Sequence, residues 1–240
     1  IIMVAFNIHL IPIILIFFSS QWAQPLQTNP EPAIIFDDYT YKTIRLENGQ
    51  HWMAENLRSS IYANGDSVTN PTDLEGLMEL NSGAWLHYDN DSTNEATYGK
   101  LYNWAAVSDS RNLCPSNWHV ATDSDWSALE EYLGGSNVAG AKLKTIDTLV
   151  WPYNVYATDE INFGGVPGGF VSAIGQPQFN NQFNQLKERA YWWTSTERDA
   201  YTAWYRTITP DYDGISRLRY VKANFLSVRC VEDQDPTENE

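Results

Sequence analysis

Positive charge is scarce in this chain, with 15 Lys and Arg against 30 Asp and Glu and a formal charge of −15. No basic surface is left to neutralise phosphates, so nucleic-acid binding and attachment to anionic membranes are both disfavoured. Cysteine is nearly absent: Cys114 and Cys230 stand far apart, in no metal-ligand spacing. Histidine is as sparse, at His9, His51, His87 and His119, again without a paired metal spacing. The motifs His-Glu-x-x-His, Gly-x-Ser-x-Gly and Cys-x-x-Cys are missing. Residues 135–142 resemble a phosphate loop at first sight, but Ala141 fills the Lys position and Leu143 the Ser/Thr position. Repeats and low-complexity tracts are lacking too.

Long apolar runs are also wanting. Residues 8–18 are apolar apart from His9, broken by Pro12, and shorter than the roughly 20 residues a membrane-spanning helix needs. The length suits the core of a secretory signal, with cleavage expected after Ala23 and a polar, proline-bearing linker at 24–33. No cysteine follows the run to take a lipid. The mature protein is therefore expected to be exported, extracellular or at the cell surface or periplasm, without membrane insertion. In an oxidising compartment the natural reading of Cys114 and Cys230 is a disulfide.

What the chain does contain is aromatic mass, at 14% of 240 residues with ten Trp, and 43% hydrophobic residues. That is enough for one full core and little for two domains. The folded region is expected over 34–233, followed by an acidic tail at 234–240. Residues 41–46 alternate and meet Asn48-Gly49, predicting a strand and hairpin that returns near residues 51–53. One helix is predicted over 98–107, with Leu101, Trp104 and Ala105 on one face. A second is predicted from Thr122, where Thr122-Asp-Ser-Asp125 has capping-box form and Gly134-Gly135 ends the run. Short strands are predicted at 191–196, 203–208 and 226–231. The fold class is therefore α+β: one domain, two main helices, and short, mostly antiparallel strands.

An ordered set of motifs runs through this region: Gln50-His-Trp-Met-Ala-Glu-Asn-Leu57, Ala96-Thr-Tyr-Gly-Lys-Leu-Tyr-Asn-Trp104 and Leu113-Cys-Pro-Ser-Asn-Trp-His-Val120. Pro167-Gly-Gly-Phe170, Tyr191-Trp-Trp-Thr-Ser-Thr-Glu197, Ala203-Trp-Tyr-Arg206 and Ser227-Val-Arg-Cys-Val231 follow. Together they resemble the Fibrobacter succinogenes major paralogous domain, a family of exported proteins common in the Bacteroidetes and Fibrobacteres. The resemblance implies a C-type-lectin-like fold, shared with formylglycine-generating enzymes, and association with adhesive or carbohydrate-related proteins. It assigns no biochemical role.

Two candidate sites follow from the residues. Asp89-Asn-Asp-Ser-Thr-Asn-Glu95 places oxygen ligands at alternate positions, with Asp89, Asp91 and Glu95 as possible calcium carboxylates. The competing reading is a polar loop of turn-forming side chains. Adjacent Trp192 and Trp193 must face opposite sides of a strand, so one can be core and the other surface. A surface aromatic stacks on a sugar ring, which places a glycan site near Trp193, Glu197, Trp204 and Arg206; sheet packing on both faces is the alternative. Ser195 and Glu197 could be drawn as nucleophile and base, but no His joins them. A non-enzymatic module binding a polysaccharide, or next a cell-surface protein, is the expectation. A structural or adhesive module and a cryptic enzyme of formylglycine-generating type are the alternatives.

Overall fold

The computed structural model describes residues 33–71, 76–173 and 182–234. The expected signal (1–23), the linker up to residue 32 and tail residues 235–240 lie outside the described residues. The chain opens with a hairpin of β1 (Ile34–Phe36) and β2 (Tyr39–Tyr41), turning at Asp37 and Asp38 with φ of 49° and 57°. The predicted Asn48-Gly49 hairpin follows as β3 (Thr43–Arg45) and β4 (His51–Met53), with Ile44 opposite Trp52.

Next come β5 (Trp85–Leu86), α1 (Glu95–Tyr98), β6 (Leu101–Asn103), α2 (Trp104–Val107) and β7 (Trp118–Val120). The helix predicted over 98–107 is thus a single turn. Gly99 at φ 73° breaks the chain, and Leu101, Tyr102 and Asn103 are all buried as a strand. The two substantial helices are α3 (Asp123–Tyr132) and α4 (Ser136–Leu143). α3 starts on the predicted capping box: Asp125 N donates to Thr122 Oγ1 at 3.1 Å, and Thr122 N donates to Asp125 Oδ2 at 2.7 Å. The remaining strands are β8 (Gly168–Val171), β9 (Phe183–Leu186), β10 (Ala190–Glu197), β11 (Thr202–Ile208), β12 (Ser216–Val221), β13 (Phe225–Leu226) and β14 (Cys230–Glu232).

All the strand pairs are antiparallel, and beyond the β1-β2 hairpin they form three sheets, ordered β3-β4-β14-β7, β5-β6-β13-β8-β9 and β10-β11-β12. The structure is mainly β with some helix. The strand predicted over 226–231 is two strands in two different sheets, β13 and β14. The last strand sits inside its sheet, between β4 and β7.

The three-stranded sheet separates two aromatic cores. Trp192 lies opposite Arg206 on β11 and faces Trp52, Trp126, Trp151 and Phe163; Trp193 lies opposite Tyr205 and faces Tyr102, Trp118, Leu226 and Val228. The alternation of the pair is as expected, but both sides are core, because a packed layer covers each face of the sheet. A third cluster, with Leu86, Leu101, Val171 and Phe225, lies at the five-stranded sheet. Cys114 and Cys230 form the disulfide expected of them.

Candidate functional site

The aromatic-strand site is corrected by this packing. Trp193 is fully buried and its indole Nε1 donates to Tyr102 O at 2.9 Å, so no ligand reaches its ring. Arg206 is also fully buried, held by Asp123 at 2.6 Å and Glu130 at 2.5 Å from α3. Glu197 reaches the surface and pairs with Lys222. Its cross-strand partner is Ala203, so it lies on the face opposite the neighbouring Trp204. Trp204 is half-buried under the Arg217 guanidinium, 3.4 Å from its ring centroid. The four residues do not meet. Ser195 Oγ donates to Val120 O, away from any base.

The acidic loop is corrected as well. Asp91 accepts from Thr93 N at 2.9 Å in a local turn, and Asp89 sits exposed at φ 56°. Glu95 turns to His87 Nε2 at 2.6 Å and Lys100 Nζ at 3.0 Å. Those two partners hold the Glu95 carboxyl below its ordinary value, outweighing the upward push of burial. Among the described residues no three His, Cys, Asp or Glu side chains are grouped to hold a metal ion. The loop follows its turn-forming chemistry instead.

A different site emerges where three distant segments meet. The chain after β4 brings Glu55, Asn56 and Arg58; the end of α1 brings Ala96 and Thr97; the long connection after α4 brings Thr145, Asp159 and Asn162. With Lys42 at the rim they enclose an open cleft of about 450 Å³. Lys100 N donates to Leu57 O and ties the first two segments together, while Leu57 N donates to Val228 O and anchors them to the chain before β14. Gly99 is required at that approach, since a Cβ there would stand 2.8 Å from Leu57 O.

Asn56 lines the cleft, and Arg229 is buried beneath it. Asn56 is buried, with Nδ2 donating to Tyr98 O at 2.9 Å and Oδ1 accepting from both Trp192 Nε1 and Arg229 Nε at 2.8 Å. Burial pulls Arg229 down to about 9, against the fields of Glu55 and Asp159, so it stays charged at neutral pH. Asp159 accepts from Gly164 N at 3.0 Å, and burial pushes its carboxyl up. On the opposite wall Glu55 accepts from Tyr39 OH at 2.7 Å and has Lys42 and Arg58 each at 3.8 Å. The Arg58 guanidinium lies 4.2 Å over the Tyr39 ring and donates from Nη2 to Ala96 O at 3.0 Å.

The cleft therefore offers carboxylates, cations, an amide and hydroxyls within one concave surface, a donor and acceptor set matched to polyhydroxylated ligands. Sequence reading missed it because no local spacing links positions near 55, 97 and 159. The available signal was Glu55 and Asn56, polar residues inside the first matched motif. A second surface feature borders the cleft: Ile146, Leu149, Tyr153 and Val155 on the connection after α4 are all exposed.

The model of the Fibrobacter succinogenes major domain family matches residues 47–232. No curated protein and no solved structure matches the chain. The match takes in every cleft residue named above except Lys42 and the Tyr39 that backs Glu55 and Arg58.

Proposed function

For this chain, which belongs to the Fibrobacter succinogenes major domain family, we propose the role of an exported, non-enzymatic ligand-binding module whose polar cleft takes a saccharide. The fold we assign within the mainly β architecture is C-type-lectin-like, supported by the family's relation to that fold and by the small antiparallel sheets packed with α3 and α4. Export is supported by the Cys114–Cys230 bridge, which forms and persists in oxidising compartments. The single observation carrying the ligand class is the cleft. Thr97, Thr145, Asn162, Glu55 and Asp159 converge there as hydrogen-bonding groups.

The test is a screen of the full chain against polysaccharides and oligosaccharides, with Asp159→Asn, Trp204→Ala and an EDTA arm. Binding should appear for the native chain, fall at least about tenfold in Asp159→Asn, and survive both Trp204→Ala and EDTA. Absence of binding to every saccharide overturns the reading. Loss on EDTA would return the metal loop to the mechanism.

The exposed apolar segment supports a second reading, an adhesive protein-interaction module. Scattered exposed apolar residues are ordinary, but four within ten positions concentrate exposed apolar surface on one connection. Replacing Leu149 and Tyr153 by Ser separates the two: it abolishes adhesion under this reading and leaves saccharide affinity intact.

A further inference from the structure

The cleft does not share the acidity of the molecule. The chain carries −15 overall, yet the cleft is lined by Lys42 and Arg58 as well as Glu55 and Asp159, two cations to two carboxylates. Asp159 lies in the field of Arg229, which is buried beneath the cleft. On the other wall two cations share one carboxylate, and neither makes a close bond to it: both N···O distances to Glu55 are 3.8 Å.

Arg58 has donors to spare. Its guanidinium makes one hydrogen bond, from Nη2 to Ala96 O, and Nη1 makes none among the described residues, while Nε is buried out of a ligand's reach. Stacking on Tyr39 at 4.2 Å fixes the plane of the group, so little side-chain entropy remains to be lost when an anion arrives. A planar, pre-set guanidinium fork is the arrangement that receives a carboxylate through two parallel bonds. Lys42, 82% exposed at the rim, adds a mobile point charge beside it.

We infer that the cleft selects acidic saccharides, with Arg58 and Lys42 receiving the carboxylate of a uronic-acid unit while the hydroxyl and carboxyl groups of the far wall hold its ring hydroxyls. The inference rests on the saccharide reading above and narrows it to one charge class. An anionic ligand also corrects the local imbalance, leaving the wall neutral.

Calorimetric titration of the full chain with tetragalacturonate, its methyl ester and cellotetraose tests it. Tetragalacturonate should bind at least about tenfold more tightly than the ester, which keeps the ring and removes the charge. Arg58→Gln should cancel that preference, so that acid and ester bind alike. Lys42→Gln, at an exposed position that cannot disturb folding, should reduce the preference severalfold. Equal affinity for acid and ester, or binding of cellotetraose alone, overturns the charge class and leaves the saccharide reading standing. Failure of all three to bind overturns both for these sugars.

Discussion

Arg229 holds a full charge inside the protein with neutral oxygens as its hydrogen-bond partners and the Phe163 ring 4.2 Å from its guanidinium. Its four hydrogen bonds go to Asn56 Oδ1 at 2.8 Å, Met53 O at 3.0 Å, Phe163 O at 2.8 Å and Gly164 O at 3.0 Å. Removing a guanidinium from water costs several kcal/mol, and the site persists because these four oxygens replace the water lost by its donors. Those acceptors belong to two segments, 53–56 and 163–164, that form opposite sides of the cleft. Lysine offers three donors from one point and cannot span them. Arg229→Lys is expected to cost about 3 kcal/mol in urea unfolding and to weaken saccharide binding with it. A loss below about 0.5 kcal/mol would mean the two segments are held by other contacts. Nothing in the sequence announced this role. Ser227-Val-Arg-Cys-Val231 reads as continuous strand, and only the partners from distant segments show why an arginine interrupts it.

At the scale of elements, local chemistry was legible where it was self-contained. The Asn48-Gly49 hairpin and the Thr122–Asp125 capping box each complete their bonds within a few residues, so the pattern alone specifies them. Three features were not legible for reasons of packing. Leu101, Trp104 and Ala105 satisfy helical spacing, but residues 101–103 are buried by pairing β6 with β5 and β13, a tertiary fact. β12 carries Arg217 and Arg219 outward as a sheet edge, so it lacks the apolar alternation of its neighbours. α4 starts at Gly135 with no side-chain cap and contains Gly140, both contrary to a helix signal. The reason for Gly140 is contact: a Cβ there would stand 1.9 Å from Gly214 O, where Ala141 N already donates to Asp213 O at 2.6 Å. Gly140→Ala gains helix propensity of about 1 kcal/mol yet must push the 213–214 turn away. It is expected to destabilise by about 1–3 kcal/mol. A thermal melt showing a stabilised variant would refute the close approach.

Across the whole molecule, the ends of the domain depend on each other. β14 is the last strand in sequence but an inner strand in space, with Val231 opposite both Trp52 and His119. Without it β3-β4 and β7 no longer share a sheet, and the two aromatic cores lose Cys230 and Val231 at their common boundary. The Cys114–Cys230 bridge, spanning 116 residues, ties this strand to the segment entering β7. The pairing was legible from two cysteines alone; that it secures a central rather than an edge strand was not, since strand order is set by tertiary contacts. In the chain-entropy account, closing a loop of that length contributes up to about 4–5 kcal/mol. Total stabilities of domains are only about 5–15 kcal/mol, so the bridge is a large share of the whole. The double variant Cys114→Ala, Cys230→Ala should therefore unfold at markedly lower guanidinium concentration, with a loss of about 3–5 kcal/mol. Cleft binding should follow the folded fraction, because Leu57 and Arg229, which shape the cleft, bond across to the segment that runs into β14 and from it. A loss under about 1 kcal/mol would show that packing of β14 between β4 and β7 holds the strand by itself.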